Sequence, residues 1–129
     1  MENRYLFRAK RIDNDEWVYG LPSYNKDGEI AEIEEWDGED IIFYTVDPST
    51  ICQCTGLRDK NDKLIWENDI VNCLNEECYG YIGWNESEAG FYFNALFEDG
   101  KFEEEHIYDY QDCIEVIGNV FDNPELLEV

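Results

Sequence analysis

Hydrophobic and polar positions alternate along much of the chain with a period of two, which is typical of β-strands. Short turn-rich segments with Gly, Asn and Asp separate many of these runs. No stretch keeps the 3.6-residue period of an amphipathic helix for three turns. The candidate strands are residues 5–10, 16–20, 29–35, 41–46, 51–57, 64–66, 68–74, 80–84, 90–97, 101–110 and 114–120. The pattern predicts a mainly β protein, either a small barrel or a sandwich.

Two Asx-Pro dipeptides and one proline between strands predict local breaks in this pattern. Asp47 before Pro48 predicts a turn or a single helical turn, and Asn123 before Pro124 predicts a short terminal helix. In both cases the Asp or Asn side chain would cap the helix and proline would occupy its first position. The residues 21–23, which contain a proline, are predicted as a turn.

Composition adds a strongly acidic surface to this picture. The 129 residues include 9 Lys and Arg against 32 Asp and Glu, giving a net charge of −23. Because 16% of the residues are aromatic, the chain is expected to fold and is unlike a disordered acidic tail. Such a surface excludes binding of nucleic acid or an anionic membrane through phosphate neutralisation. No apolar run approaches the ~20 residues of a membrane span, and no apolar signal segment follows the first residues.

The charge is distributed unevenly along the chain. Residues 1–63 carry 8 basic and 15 acidic residues, a net charge of −7, whereas residues 64–129 carry only Lys101 against 17 acidic residues, a net charge of −16. This step predicts an N-terminal β-rich region at residues 1–63 and a C-terminal domain at residues 64–129, which ends in the short helix.

Several motifs make the sequence similar to a known family. The most specific are TGLRDKN at residues 55–61, IWENDIV at residues 65–71 and EVIGNVFDNPELL at residues 115–127. Together with FRA and WVYG near the start and GYIGW at residues 80–84, they cover residues 5–127. In this combination the chain resembles the YopX family of phage and prophage proteins.

The resemblance implies an SH3-like barrel in the C-terminal domain, preceded by a smaller β-rich part, and it supplies no catalytic residue. Three positions depart from the family pattern. Asp62 and Asn68 stand where glycine is common, so we expect both to adopt a left-handed backbone. Cys54 stands where an aromatic residue is frequent. Gly83 and Gly118, inside strands, predict bends or bulges that help a small sheet to close.

Five cysteines without a recognisable signal segment favour a reducing compartment, the cytoplasm of a bacterial host. Cys52, Cys54, Cys73 and Cys78 provide one candidate metal site. The single residue between the first two fits structural zinc poorly. On a strand, Cys52 and Cys54 would share one face, as small core residues do. We therefore expect inert thiols and no metal or other cofactor.

Candidate catalytic groups are few. His106 is the single histidine and follows Glu103, Glu104 and Glu105. It is either a general base or a surface residue of an acidic strand, and pairing with Cys113 would give a nucleophile without a third orienting group. The acidic residues 27–40 contain no calcium-loop motif, and Asp27 next to Gly28 is better explained as a hairpin turn. We expect a protein that is not an enzyme.

The aromatic residues provide candidate contacts instead. Stacking of single-stranded bases is one interpretation, but it normally requires a positive groove. Core packing and one protein-binding patch account better for the tryptophans. The candidate interaction surface comprises Trp36, Trp66, Trp84, Glu103, Glu104 and Glu105.

The sequence therefore favours a non-enzymatic acidic module that binds an unidentified host or phage protein. In its sharpest form the carboxylates would mimic the phosphates of DNA and occupy a basic cleft. The alternative is a structural subunit that assembles into a homo-oligomer, and ordinary solubility is a third explanation of the charge.

Overall fold

The computed structural model describes residues 3–73, 78–107 and 113–128. Within these ranges the protein consists of antiparallel β-strands and short 3₁₀ helices, which confirms the mainly β prediction. No helix in these ranges has the length and apolarity needed to span a bilayer. The strands are β1 (Phe7–Lys10), β2 (Trp17–Tyr24), β3 (Ile30–Trp36), β4 (Ile41–Thr45), β5 (Cys52–Arg58), β6 (Leu64–Trp66), β7 (Asp69–Cys73), β8 (Cys78–Asn85), β9 (Gly90–Leu96), β10 (Phe102–His106) and β11 (Ile114–Asn119). The 3₁₀ helices are η1 (Asn3–Tyr5), η2 (Pro48–Thr50) and η3 (Pro124–Leu127).

Each predicted run overlaps one of these strands, but the predicted turn at residues 21–23 is wrong. Strand β2 continues through Pro22 to Tyr24. Its first half pairs with β1 as far as Gly20, and its second half pairs with β3, where Pro22 lies opposite Ile33. Pro22 therefore lies beyond the β1 ladder, where its missing N–H removes no ladder bond. Residue 74 and residues 108–110 of two predicted runs lie outside the described ranges.

The chain divides into two compact units, Met1–Cys54 and Thr55–Val129. The polar loop at residues 59–63, where the charge step suggests a boundary, lies inside the second unit. In the first unit the strand order is β4-β3-β2-β1-β5. One face of this sheet buries a small apolar core formed by Ala9, Val18, Ile33 and Val46, with Phe7, Tyr44 and Ile51 packed against it.

In the second unit the strand order is β10-β9-β8-β7-β11, so a four-stranded meander is followed by a fifth strand that returns beside the first. The core of this unit consists of Ile65, Val71, Ile82, Phe93, Ala95, Ile107 and Ile114. Strand β6 joins β5 there, and the Thr55 hydroxyl donates to the carbonyl of Ile65 at 2.7 Å. The hydrogen-bonded strands of the described residues do not close into a barrel.

The turn residues explain where the strands stop. Asp62 and Asn68 have φ angles of 65° and 69°, which confirms the predicted left-handed backbone. The β7–β11 register shifts between Val116 and Gly118, as expected for a bulge. Gly83 differs from expectation, because the β8–β9 register runs through it without interruption. A Cβ atom there would meet the side-chain amide of Asn94.

The two predicted caps have different outcomes. The carboxylate of Asp47 accepts a hydrogen bond from the N–H of Ser49 at 3.0 Å and caps η2, with Pro48 next to it. Asn123 precedes η3 but does not cap it. Its side-chain oxygen accepts a hydrogen bond from the N–H of Asn119 at 3.2 Å, so the side chain points back toward β11.

Candidate functional site

The outer face of the first sheet carries most of the large apolar side chains that the first unit exposes. Directly opposed residues of antiparallel strands share a face, and successive residues alternate. Ile33 is fully buried in the core, so its neighbour Glu34 lies on the outer face, together with its partners Leu21 and Phe43. The same register places Trp36 opposite Ile41 on that face.

These side chains remain open to solvent. Trp36 is 64% exposed, and Ile41 and Phe43 are each more than half exposed. Strand β4 alternates between exposed and half-buried positions and lies at the edge of its sheet. A contiguous exposed apolar patch of this kind marks an interaction site more often than isolated surface apolar residues do.

A shallow groove of 440 Å³ runs along this face. Tyr19, Leu21, Trp36 and Ile41 form much of its lining, and Glu34 and Glu35 add two carboxylates. We call this surface the Trp36 groove. Its walls are apolar and its charged groups are negative, so it suits an apolar segment that carries positive charge.

Basic side chains of β1 lie on the same face, since Arg8 is opposite Tyr19 and Lys10 is opposite Trp17, and they contact aromatic rings. The guanidinium of Arg8 lies 4.7 Å from the centre of the Trp17 ring, and the ammonium of Lys10 lies 5.6 Å from it. Arg11 stacks on Tyr44 in the same way, at 4.9 Å. These cations are held over aromatic faces, and none of the three is among the residues that line the Trp36 groove.

The structure separates the tryptophans grouped by the sequence analysis. Trp36 lies in the exposed groove of the first unit. Trp66 is only 6% exposed, so its side chain is buried. Its backbone N–H donates to the carboxylate of Asp69 at 2.7 Å. Trp84 is 45% exposed and packs edge-on against Phe91 at 5.0 Å.

The three predicted glutamates follow one another on β10. Glu103 and Glu104 are exposed and Glu105 is half-buried. Glu104 accepts a hydrogen bond from the side-chain amide of Asn85 at 2.7 Å. The β8–β9–β10 register places Glu104 on the face opposite that of Trp84. The same register places Glu103 and Glu105 on the face of Trp84, so the three glutamates divide between the two faces of the sheet.

His106 lies beside a smaller cavity of 290 Å³, which is also lined by Thr55, Glu88 and Tyr92. The imidazole packs on the Tyr92 ring at 5.1 Å. Partial burial, together with the carboxylates of Glu88 and Glu104, raises the pKa of the Tyr92 hydroxyl above its ordinary value. The Thr55 hydroxyl already donates to a backbone carbonyl. The cavity thus holds a histidine packed on a tyrosine, while the Thr55 hydroxyl on its wall has its proton engaged.

Four cysteines lie in strands: Cys52 and Cys54 in β5, Cys73 at the end of β7 and Cys78 at the start of β8. Cys52 and Cys54 are both fully buried on one face of β5, as the alternation predicts. Cys73 lies directly opposite Cys78 in the β7–β8 register. No three His, Cys, Asp or Glu side chains of the described residues are arranged to hold a metal ion. At the Asp27 turn, the Asn25 side chain accepts hydrogen bonds from the N–H groups of residues 27 and 29, so this segment is a hairpin turn.

Of the exposed residues on this face, the sequence predicts Trp36 but not Tyr19, Ile41 and Phe43. Residues 41–46 form an uninterrupted apolar run, which is equally compatible with a buried strand. The exposed tyrosine on β2 carries no distinguishing local signal. Tyr19 and Ile41 line the groove because of strand pairing, which a local pattern does not reveal.

Comparison with known proteins identifies the chain's relatives. The crystal structure of protein EF1440 from Enterococcus faecalis is similar to this chain, with 24% sequence identity and a TM-score of 0.48. The match covers 95% of this chain and 96% of the EF1440 chain. Among curated proteins, none matches the chain. The family described as YopX protein matches residues 6–128. Since this match extends over nearly all of the sequence, the chain belongs to the YopX family.

Proposed function

We propose that the chain is a phage or prophage protein that acts in the bacterial cytoplasm as a non-enzymatic interaction module. Its ligand is a basic, partly apolar segment of a partner protein, which binds in the Trp36 groove. The observation that carries this proposal is the exposed row of Trp36, Ile41 and Phe43 beside the carboxylate of Glu34. The resemblance to phage and prophage proteins supports the setting.

The apolar part of the groove would supply the affinity. Tryptophan is enriched among the residues that dominate binding energy at protein interfaces. Trp36 is the most exposed of the tryptophans named above, and its partner across the strands, Ile41, extends the apolar surface. Covering both side chains removes apolar area from water, which is favourable in proportion to the area covered.

Charge would select the partner. Glu34 and Glu35 stand at the groove, and the whole chain carries a net charge of −23. A positively charged segment would be attracted from a distance, so association would be fast at low salt and slower at high salt. The same field disfavours nucleic acid and anionic membranes as direct ligands.

The surroundings of His106 support a non-enzymatic role. Its ring packs on Tyr92, whereas the thiol of Cys113 lies 2.7 Å from that of Cys73. A nucleophile and its base have to lie within hydrogen-bonding reach of one another. We therefore do not assign a catalytic role to His106.

For the second unit we propose an SH3-like arrangement. What supports it is a five-stranded antiparallel sheet with β11 beside β7, a bulge at Gly118 and a single apolar core. Strong twist and bulges are the devices by which a small sheet curls around its core.

A defined peptide probe tests the groove. A labelled peptide of alternating lysine and valine should bind the full-length protein, and a lysine–serine peptide of equal length measures attraction by charge alone. Trp36→Ser should weaken binding of the first peptide at least tenfold, since an interface tryptophan typically contributes about 2 kcal/mol or more. Trp84→Ser is the matched control and should retain wild-type affinity. Equal binding of the two peptides, or an equal effect of both substitutions, would contradict the proposal.

A pull-down from bacterial lysate then distinguishes the kinds of partner. A protein captured by the wild type and by Trp84→Ser, but not by Trp36→Ser, is a groove ligand. If duplex DNA displaces that ligand, the acidic surface acts as a mimic of DNA on a DNA-binding protein. If DNA has no effect, the contact is an ordinary protein interface. If Trp36→Ser captures the protein as well as the wild type does, the binding belongs to another surface.

Self-association is a second candidate function, which the exposed edge strand β4 favours. An edge strand with exposed Ile41 and Phe43 is able to pair with a second copy. The charge of −23 opposes this pairing, particularly at low salt. Light scattering across a salt series separates the two functions: a multimer at every salt concentration supports assembly, and a monomer supports binding to a different protein.

A further inference from the structure

Two cysteines that are far apart in the sequence meet at one end of the second sheet. Cys73 ends β7, and Cys113 immediately precedes β11. These strands are paired, with Cys73 opposite Ile114, the residue after Cys113. The two sulfur atoms lie 2.7 Å apart. The pairing of the strands therefore brings together two thiols that are 40 residues apart along the chain.

This distance distinguishes between the uses of a thiol pair. Nonbonded carbon atoms pack about 3.5–4.0 Å apart, and sulfur is larger than carbon, so the two sulfurs are closer than an ordinary packing contact. Thiolates that share a tetrahedral zinc ion with bonds of about 2.3 Å would be separated by nearly 4 Å. The observed sulfur–sulfur distance of 2.7 Å is shorter than that separation. A covalent bond between the sulfurs, at about 2.05 Å, needs only a small further approach.

We propose that Cys73 and Cys113 are a modification site, at which a low-molecular-weight disulfide such as oxidised glutathione forms a reversible intramolecular disulfide. The half-buried Cys113 reacts first, because Cys73 is only 1% exposed. The thiolate of Cys113 attacks the small disulfide, forms a mixed disulfide and releases one small thiol. The thiolate of Cys73 then attacks the sulfur of Cys113 and releases the second thiol. Overall the two cysteines lose two electrons and two protons, and the small disulfide gains them.

The bond would fasten the two ends of the meander. It closes a loop that contains β8, β9 and β10, and it adds a covalent link to a strand pair that already exists. Closing a loop of this length restricts the unfolded chain and stabilises the fold. In a reducing cytoplasm the thiols stay reduced, so the link forms only when the surrounding thiol pool is oxidised.

Cys78 provides the internal control. It lies opposite Cys73 on the other neighbouring strand, β8. Its sulfur contacts the backbone carbonyl of Tyr79 at 3.9 Å. Because Cys73 has a cysteine neighbour on each side, the proposal makes a specific choice of partner. Cys52 and Cys54 are fully buried and are expected to stay reduced.

The test equilibrates the full-length protein with mixtures of oxidised and reduced glutathione and maps disulfides by non-reducing mass spectrometry. The expected product is a monomer that has lost two hydrogen atoms and in which Cys73 is joined to Cys113. Its melting temperature should rise by on the order of 10 °C, and dithiothreitol should reverse the rise. The link should persist in Cys78→Ser and disappear in Cys113→Ser.

Other results overturn the proposal. A Cys73–Cys78 link, a Cys78–Cys113 link, or five thiols that all stay reduced would each do so. Zinc that protects Cys73 and Cys113 from alkylation would replace the disulfide with a metal site. If Cys113→Ser does not fold, the mapped link in the wild type and in Cys78→Ser decides the question.

Discussion

The carboxylate of Asp59 accepts a hydrogen bond from the backbone N–H of Val116, 57 residues further along the chain, at 2.9 Å. Its other oxygen accepts hydrogen bonds from the N–H groups of Asn61 and Lys63, both at 2.9 Å. Asp59 is 6% exposed. This side chain joins two motifs on which the family resemblance rests, the hairpin at residues 55–61 and the final segment at residues 115–127. The motifs are therefore parts of one structural contact.

Asp59 should make the stability of the protein depend on pH. Burial raises the pKa of this carboxyl, but the hydrogen bonds from Val116, Lys63 and Asn61 outweigh burial and lower the pKa below its ordinary value. A lowered folded-state pKa stabilises the protein above the unfolded value of about 3.9, and this contribution disappears as the pH falls through the folded value.

The substitution Asp59→Asn tests this dependence. At neutral pH it should cost about 1–3 kcal/mol, because an amide nitrogen cannot accept the N–H groups that a carboxylate oxygen accepts. Urea unfolding at pH 7 and at steps down to pH 3 measures the difference from the wild type. The difference should shrink in the acid range. A difference that stays constant with pH would show that the charge of Asp59 has no role.

Asp62 should tolerate only residues that accept a left-handed backbone. Its φ angle is 65°, and its side chain is exposed and 3.8 Å from Arg58, a surface pair of little energetic weight. Asp62→Val should destabilise the protein by about 1–2 kcal/mol, because a Cβ-branched side chain is strained there. Asparagine also accepts a left-handed backbone, so Asp62→Asn should leave the unfolding midpoint nearly unchanged. Chemical denaturation of the two variants measures both effects.

The sequence predicts strands well in this protein because the alternation and the turn residues are local. At Asp62 the family resemblance adds to this pattern: the glycine that is common at its position predicts a φ above zero, and the angle is 65°. Pro22 shows the limit of prediction from local sequence. A proline is tolerated inside β2 because it lies where β2 changes partner from β1 to β3.

The candidate site was predictable only in part, because exposure depends on which face of a sheet is covered. Trp36 and Trp66 both end short strands, yet one is exposed and the other buried. The local sequence around each does not reveal this difference. The approach of Cys73 to Cys113 depends likewise on the pairing of β7 with β11.

The tryptophans should respond to alanine in the order of their burial. Trp66→Ala should cost about 3–5 kcal/mol, as for other buried aromatic side chains. Trp84→Ala should cost about 1–2 kcal/mol, since the residue is half exposed and loses an edge contact with Phe91. Trp36→Ala should change stability by no more than about 0.5 kcal/mol. Urea unfolding of the three variants gives the order, and a large cost at Trp36 would indicate that the groove residue supports the fold.

Gly80 should be the least replaceable residue of the meander. It lies in β8 between Val71 of β7 and Ala95 of β9. A Cβ atom there would collide with the backbone oxygen of Asn94 and with the ring of Phe93. The carbonyl belongs to a paired strand and the ring to the core, so neither moves without disturbing the sheet.

Gly80→Ala should therefore destabilise the protein by on the order of 2–3 kcal/mol or more, the cost of overpacking a tight core. Gly90→Ala is the matched control on the adjacent strand. Its Cβ atom would meet only ordinary contacts, the nearest at 3.8 Å, and it lowers the entropy of the unfolded chain, so stability should stay equal or rise by about 0.4–1 kcal/mol. Thermal and urea unfolding of both variants compares them directly. An equal response would mean that β8 and β9 have room to separate, and that the strand spacing at Gly80 is not fixed by the missing side chain.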